Sequence, residues 1–91
     1  MPATPVINVG FYNFVVTNQI VAMVSSESAP IRRMIQQMRD NGKVIDATQG
    51  RRTKCVIFTN NDHIVLSAIS QETLARRLAI GDALGEEEQT N

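Results

Sequence analysis

At 91 residues the chain has room for one domain and one small core, which excludes a doubly wound dinucleotide-binding enzyme or a (β/α)₈ barrel. A composition of 43% hydrophobic and 20% charged residues, with five Gly and three Pro, is that of a folding protein and excludes the disordered and collagenous classes. Nine basic and nine acidic residues cancel to a net charge of zero, but they are sorted along the chain rather than mixed.

In chain order, Val6 to Val9 reads as a short strand closed by Gly10, and Ile20 to Val24 as a strand apolar on both faces, with Phe14 to Thr17 as its extension. Ile31, Met34, Ile35 and Met38 then recur at the spacing of one helix face. Ser28 is placed to cap that helix, Pro30 suits its first turn, and Asn41-Gly42 supplies a left-handed stop. Lys43 to Ala47 is expected as a strand and Thr48-Gln49-Gly50 as a turn. Cys55 to Phe58 and His63 to Leu66 flank a polar turn as a hairpin. Ser70 caps a last helix, Gln71 to Ile80, with Leu74 and Leu78 facing inward. The expected fold is α+β: a small sheet of about five short strands with two helices in one domain, residues 1–81, followed by an acidic tail, residues 82–91, expected to be disordered. A chain this short buries only about 60 to 65% of its unfolded surface. Two short helices also look too few to cover strands apolar on both faces, so a further subunit is expected to cover the rest.

The longest apolar run, Ile20 to Val24, falls far short of the roughly 20 residues that span a bilayer. No leader pattern is read, and the single Cys55 allows neither an internal disulfide nor a multi-cysteine zinc site, so a reducing cytoplasm is the expected location. One His, one Cys and scattered carboxylates show no catalytic spacing, and no glycine pattern cradles a phosphate; no enzyme activity, cofactor or metal is expected. His63 is explained by the polarity of a hairpin edge, Cys55 as a small buried hydrophobe, and Met34 and Met38 as core filler. Phe11, Tyr12 and Phe14 could stack on bases as aromatics do in single-stranded nucleic-acid binders, but they stand away from the basic segment in sequence and packing is the favoured reading. Arg76-Arg77 complements the C-terminal end of the last helix.

From Arg32 to Lys54 seven bases stand against two acids, a local charge of +5, while the segment after Gly81 carries four acids and no base. Like charges crowded into one domain destabilise it unless a polyanion neutralises them. Arg51 and Arg52 on a glycine turn, with Lys54 beyond, are the leading candidates, because guanidinium groups grip phosphates bidentately. Arg32 and Arg33 open the first helix, where positive charge opposes the macrodipole; the plain alternative is a loose salt bridge to Glu27 or Asp40.

Ser28-Ala29-Pro30-Ile31-Arg32-Arg33, Gly42-Lys43-Val44-Ile45-Asp46-Ala47-Thr48 and Gly50-Arg51-Arg52-Thr53 resemble the bacterial RemA family, the extracellular matrix regulatory proteins. Asn8-Val9-Gly10-Phe11, Asp62-His63 and Gln71-Glu72-Thr73 extend the resemblance from about Ile7 to Leu78. It implies a DNA-binding transcriptional regulator of the biofilm or extracellular-matrix type, assembled as a ring-like homo-oligomer with DNA along its basic patches and Arg51 and Arg52 as contacts. The position of Gln19 is basic in the family, so one implied contact is missing. The charge pattern and the resemblance give the same expectation: double-stranded DNA and further copies of the chain as partners, Arg51 and Arg52 as principal contacts, and Lys54, Arg32 and Arg33 as secondary ones. DNA bendability would set sequence preference. The rival readings are an interaction or structural module whose basic patch docks an acidic protein, and single-stranded RNA binding, which a Phe11 or Tyr12 alanine variant would test.

Overall fold

The computed structural model describes residues 5–80; the expected acidic tail lies outside them. The chain runs β1 (Val6–Asn8), β2 (Phe14–Val16), β3 (Ile20–Ser25), α1 (Ala29–Asp40), β4 (Val44–Asp46), β5 (Cys55–Thr59), β6 (Ile64–Ser67) and α2 (Gln71–Ile80). This is the expected α+β fold with two helices. α1 begins where Ser28 Oγ accepts the Ile31 N–H at 3.3 Å, with Pro30 in the first turn. It ends at Asn41, the next residue being the left-handed Gly42 at φ +71°.

Two antiparallel strands, β1 and β2, form a separate small sheet, and four more form the main sheet in the order β3-β5-β6-β4. Only the β4–β6 pair is parallel. The expectation that Phe14 to Thr17 extends β3 is corrected here. A 3₁₀ turn at Thr17–Gln19 separates the two segments, and Phe14 to Val16 turns back on β1 in the register Val6↔Val16, Asn8↔Phe14.

The main sheet is covered on both faces by the chain itself. Alternation along β5 and β6 sends Val56, Ile64 and Leu66 toward α1, where Ile31, Met34, Ile35 and Met38 pack on them. Cys55, Ile57 and Val65 face the opposite way into a core with Ile7, Val9, Ile69 and Leu74, supplied by β1 and α2 and the segments beside them. The central strands therefore need no further subunit: a second, two-stranded layer and α2 cover the face that α1 does not. What remains exposed lies at the margins, at Ile45 on β4, Phe14 and Val16 on β2, Val21 on β3, and Leu78 and Ile80 on α2. Leu78 thus does not face inward with Leu74. Arg77 does, at 4% exposure.

Candidate nucleic-acid interface

Register fixes which loops meet. Ser25 pairs with Cys55, Cys55 with Ser67, and Asp46 with Leu66, so β3 ends, β5 begins, and β6 and β4 end on one side of the sheet. In the order β3-β5-β6-β4 the link from β4 to β5 has to pass the end of β6, which carries Arg51, Arg52 and Lys54 outside the sheet. Lys54 N–H bonds Ser67 O at 2.8 Å, and Ser26 reaches the same link through its N–H to Lys54 O (3.3 Å) and its Oγ to Thr53 O (2.7 Å). Ser67 Oγ donates to Val9 O at 2.7 Å, which brings the β1–β2 turn to that end as well. Among the described residues the buried polar side chains, Asn8, Ser26, Thr48, Ser67 and Arg77, all bond backbone or side chains of these loops or of their flanking strand ends. Buried polar groups require partners, and here the partners are the loops that need fixing.

The turn Thr48 to Arg51 closes through Arg51 N–H to Thr48 O at 3.0 Å, with Gln49 at φ +55° and Gly50 at φ +78°. Two consecutive positive φ values define a type I′ turn, and Gly50 meets that demand without strain. Asp46 anchors it: its Oδ1 accepts from Thr48 Oγ1 (2.6 Å) and Thr48 N–H (2.9 Å), and Arg39 stands 3.8 Å away. The Thr48 hydroxyl bond, then the backbone bond and the Arg39 charge, hold the Asp46 carboxyl below its ordinary value of 3.8 although partial burial pushes the other way. A depressed carboxyl pKa contributes stability above the ordinary value that is lost as pH falls through the folded one. Because the carboxylate is partly exposed and solvent screens it, an Asp46→Ala variant is expected to be less stable at pH 7 by about 0.5 to 1 kcal/mol. The gap to wild type should close as pH falls below 3.8, read by denaturant unfolding at a series of pH values. A gap constant through the acid range would show that the carboxylate is not the anchor.

The candidate bases do not all converge. Arg52 Nη2 lies 4.0 Å from a Glu27 carboxylate oxygen, with both side chains largely exposed. Arg32 Nη1 donates to the Glu27 backbone carbonyl, so Glu27 joins two basic pairs that the sequence separates. Lys54 lines the same shallow pocket with Glu27 and Arg52. Arg33 is exposed one position further along α1 and makes no hydrogen bond or ion pair with a described residue. Arg51 stands over an aromatic ring instead: its guanidinium carbon lies 5.7 Å from the centre of the Phe11 ring, within cation–π range.

The sequence names Glu27 only as a loose partner of Arg32 and Arg33, and the structure sets it against Arg52 as well. Packing is the favoured sequence reading of the aromatics, yet Tyr12 is 64% exposed and Phe14 43%, with their ring centroids 6.4 Å apart. Nothing in the spacing signals that Phe11 reaches Arg51; the sheet creates that contact. Cys55 is fully buried and burial pushes its thiol up to about 11, so it is a core residue and not a nucleophile. His63 Nδ1 lies 3.1 Å from the Asn61 carbonyl inside the hairpin turn. Among the described residues no three His, Cys, Asp or Glu side chains come together, and no helix is long and apolar enough to cross a membrane.

Comparison with known proteins places the chain. A protein of Clostridium botulinum strain Hall is 55% identical over 89 residues, covering 98% of this chain and 94% of the relative. One of Clostridium acetobutylicum is 58% identical over 76 residues, covering 84% and 83%, and one of Clostridium novyi 55% over 82 residues, covering 90% and 91%. The names of all three give them a provisional regulatory role. Residues 6–78 match the RemA-like family, described as extracellular matrix regulatory protein A-like, and with that span aligned the chain belongs to this family.

Proposed function

We propose that this protein is a cytoplasmic transcriptional regulator of the extracellular-matrix type that binds duplex DNA as a ring-like homo-oligomer. The observation that carries the reading is the gathering of Arg32, Arg52 and Lys54 around Glu27, with Arg51 on the adjoining turn, at one end of the sheet. None of these four is buried, so packing does not account for them. The family description and the regulatory names of the relatives support regulation over catalysis.

Assembly is supported by where apolar surface remains. Phe14, Val16 and Ile45 line one groove beside edge strand β4, whereas Val21 lies on β3, the opposite edge, and Leu78 and Ile80 lie on α2, which packs against β3. Two unlike patches suit a head-to-tail contact, the kind that forms a ring when the rotation between subunits closes. Repetition makes every contact after the first effectively intramolecular, so weak arginine–phosphate contacts sum to useful affinity. The two described helices carry no recognition-helix signature, and DNA bendability then sets sequence preference.

The test is a titration of labelled duplex DNA at several salt concentrations, with the mass of the assembly measured in parallel. Log affinity is expected to fall linearly with log salt, by about 0.9 per phosphate neutralised. Glu27 competes with phosphate for Arg52, so Glu27→Gln should tighten binding by about two- to fivefold per engaged subunit at low salt, the equivalent of a weak exposed ion pair. A flat salt response, or a monomer that binds as well as the assembly, would overturn the reading.

A further inference from the structure

We propose that Tyr12 is a second, uncharged DNA contact beside Arg51, its ring packing on a deoxyribose and its hydroxyl donating to a phosphate oxygen; this rests on the DNA reading above. The β1–β2 connection is a four-residue turn in which Asn13 N–H bonds Gly10 O at 2.9 Å, with Phe11 at φ +53° and Tyr12 at φ +59°. Both central positions are left-handed, a conformation that suits Gly or Asn and disfavours aromatic side chains. The surroundings impose it. Asn8 Oδ1 accepts the Gly10 N–H at 2.8 Å, Asn13 Nδ2 donates to Gly10 O at 2.9 Å, and Val9 N–H bonds Asn13 O at 2.8 Å.

A disfavoured turn that sets one aromatic ring under a guanidinium and leaves the next 64% exposed gains nothing for the core. Strain of this kind persists at binding sites, where the exposed group has work to do. Phe11, the residue before Tyr12, stands against Arg51, the arginine proposed to grip phosphate. Tyrosine is among the side chains that contact the DNA backbone, and a rigid ring loses little freedom on binding.

An uncharged contact releases no counterion, which separates it from its neighbour experimentally. Tyr12→Gly fits the left-handed position, and the variant is expected to unfold no lower than wild type. Its affinity for duplex DNA should fall by about three- to tenfold per engaged subunit at every salt concentration, with the salt slope unchanged. Tyr12→Phe should lose part of that, and Arg51→Ala should lower the slope. Wild-type affinity in Tyr12→Gly, a loss confined to single-stranded RNA, or a changed slope would each overturn the proposal while wild type still binds duplex DNA. Failure of wild type to bind duplex DNA at all would overturn the DNA reading itself.

Discussion

The double variant Arg51→Ala, Arg52→Ala is expected to lose at least a hundredfold in DNA affinity at low salt while its assembly and fold persist, because multivalent binding multiplies the loss over every subunit engaged. Arg52 makes a single exposed bridge at 4.0 Å, of the kind worth at most about 1 kcal/mol to the fold. The exposed stacking of Arg51 over Phe11 is worth about 0.5 to 1 kcal/mol. Stability therefore changes little, and the effect falls on binding. Each phosphate contact removed lowers the salt slope by about 0.9, so the pair lowers it by about 1.8 per subunit on the DNA, and the measured change divided by that figure counts the subunits engaged. Arg51→Lys, Arg52→Lys keeps the charge but gives up the planar fork, and should retain most of the slope while losing affinity. Single changes at Arg32 and Lys54 should have smaller effects of the same kind. Arg33, outside the cluster, should have the least. An unaltered slope in an intact assembly of the alanine variant would remove these arginines from the site.

The elements with strong local signals were legible from residues alone. α1 combines a four-residue apolar stripe with a serine cap and a glycine stop, and the hairpin of β5 and β6 combines two β-branched runs with a polar turn. Short apolar runs carry no information on partners, which is why Phe14 to Val16 looked like part of β3; the left-handed turn at Phe11 and Tyr12 decides that pairing, and neither residue advertises positive φ. The basic candidates were legible as charge, but their arrangement was not. Arg32 and Arg52 are twenty positions apart, and only the coincidence of strand ends around Glu27 unites them. Arg77 did leave a trace: Leu74, Arg77 and Leu78 share one helical stripe, and a base at the centre of such a stripe points inward as readily as its neighbours.

That inward arginine carries the second large effect. Arg77 is 4% exposed, and its Nη1 donates to the backbone carbonyl of Asn8 at 2.6 Å. Truncation to alanine leaves that buried carbonyl without this donor, at about 1 to 3 kcal/mol, and removes a three-carbon stem that fills space between α2 and β1. The expected destabilisation of Arg77→Ala is about 2 to 4 kcal/mol, a fall in Tm of more than about 10 °C for a domain of this size. Arg76, exposed on the same helix, is the internal control: Arg76→Ala should stay within about 0.5 kcal/mol of wild type. If both variants unfolded together near the wild-type temperature, the buried bond would be ornamental. The consequence reaches the proposed DNA face, because Asn8 Oδ1 also holds the Gly10 N–H that sets the aromatic turn against Arg51. Arg77→Lys, which keeps a charge but offers no planar fork, should fold more stably than the alanine variant and still bind DNA less tightly than wild type. The bond from α2 to Asn8 thus ties the core, through β1, to the turn beside the proposed contact surface.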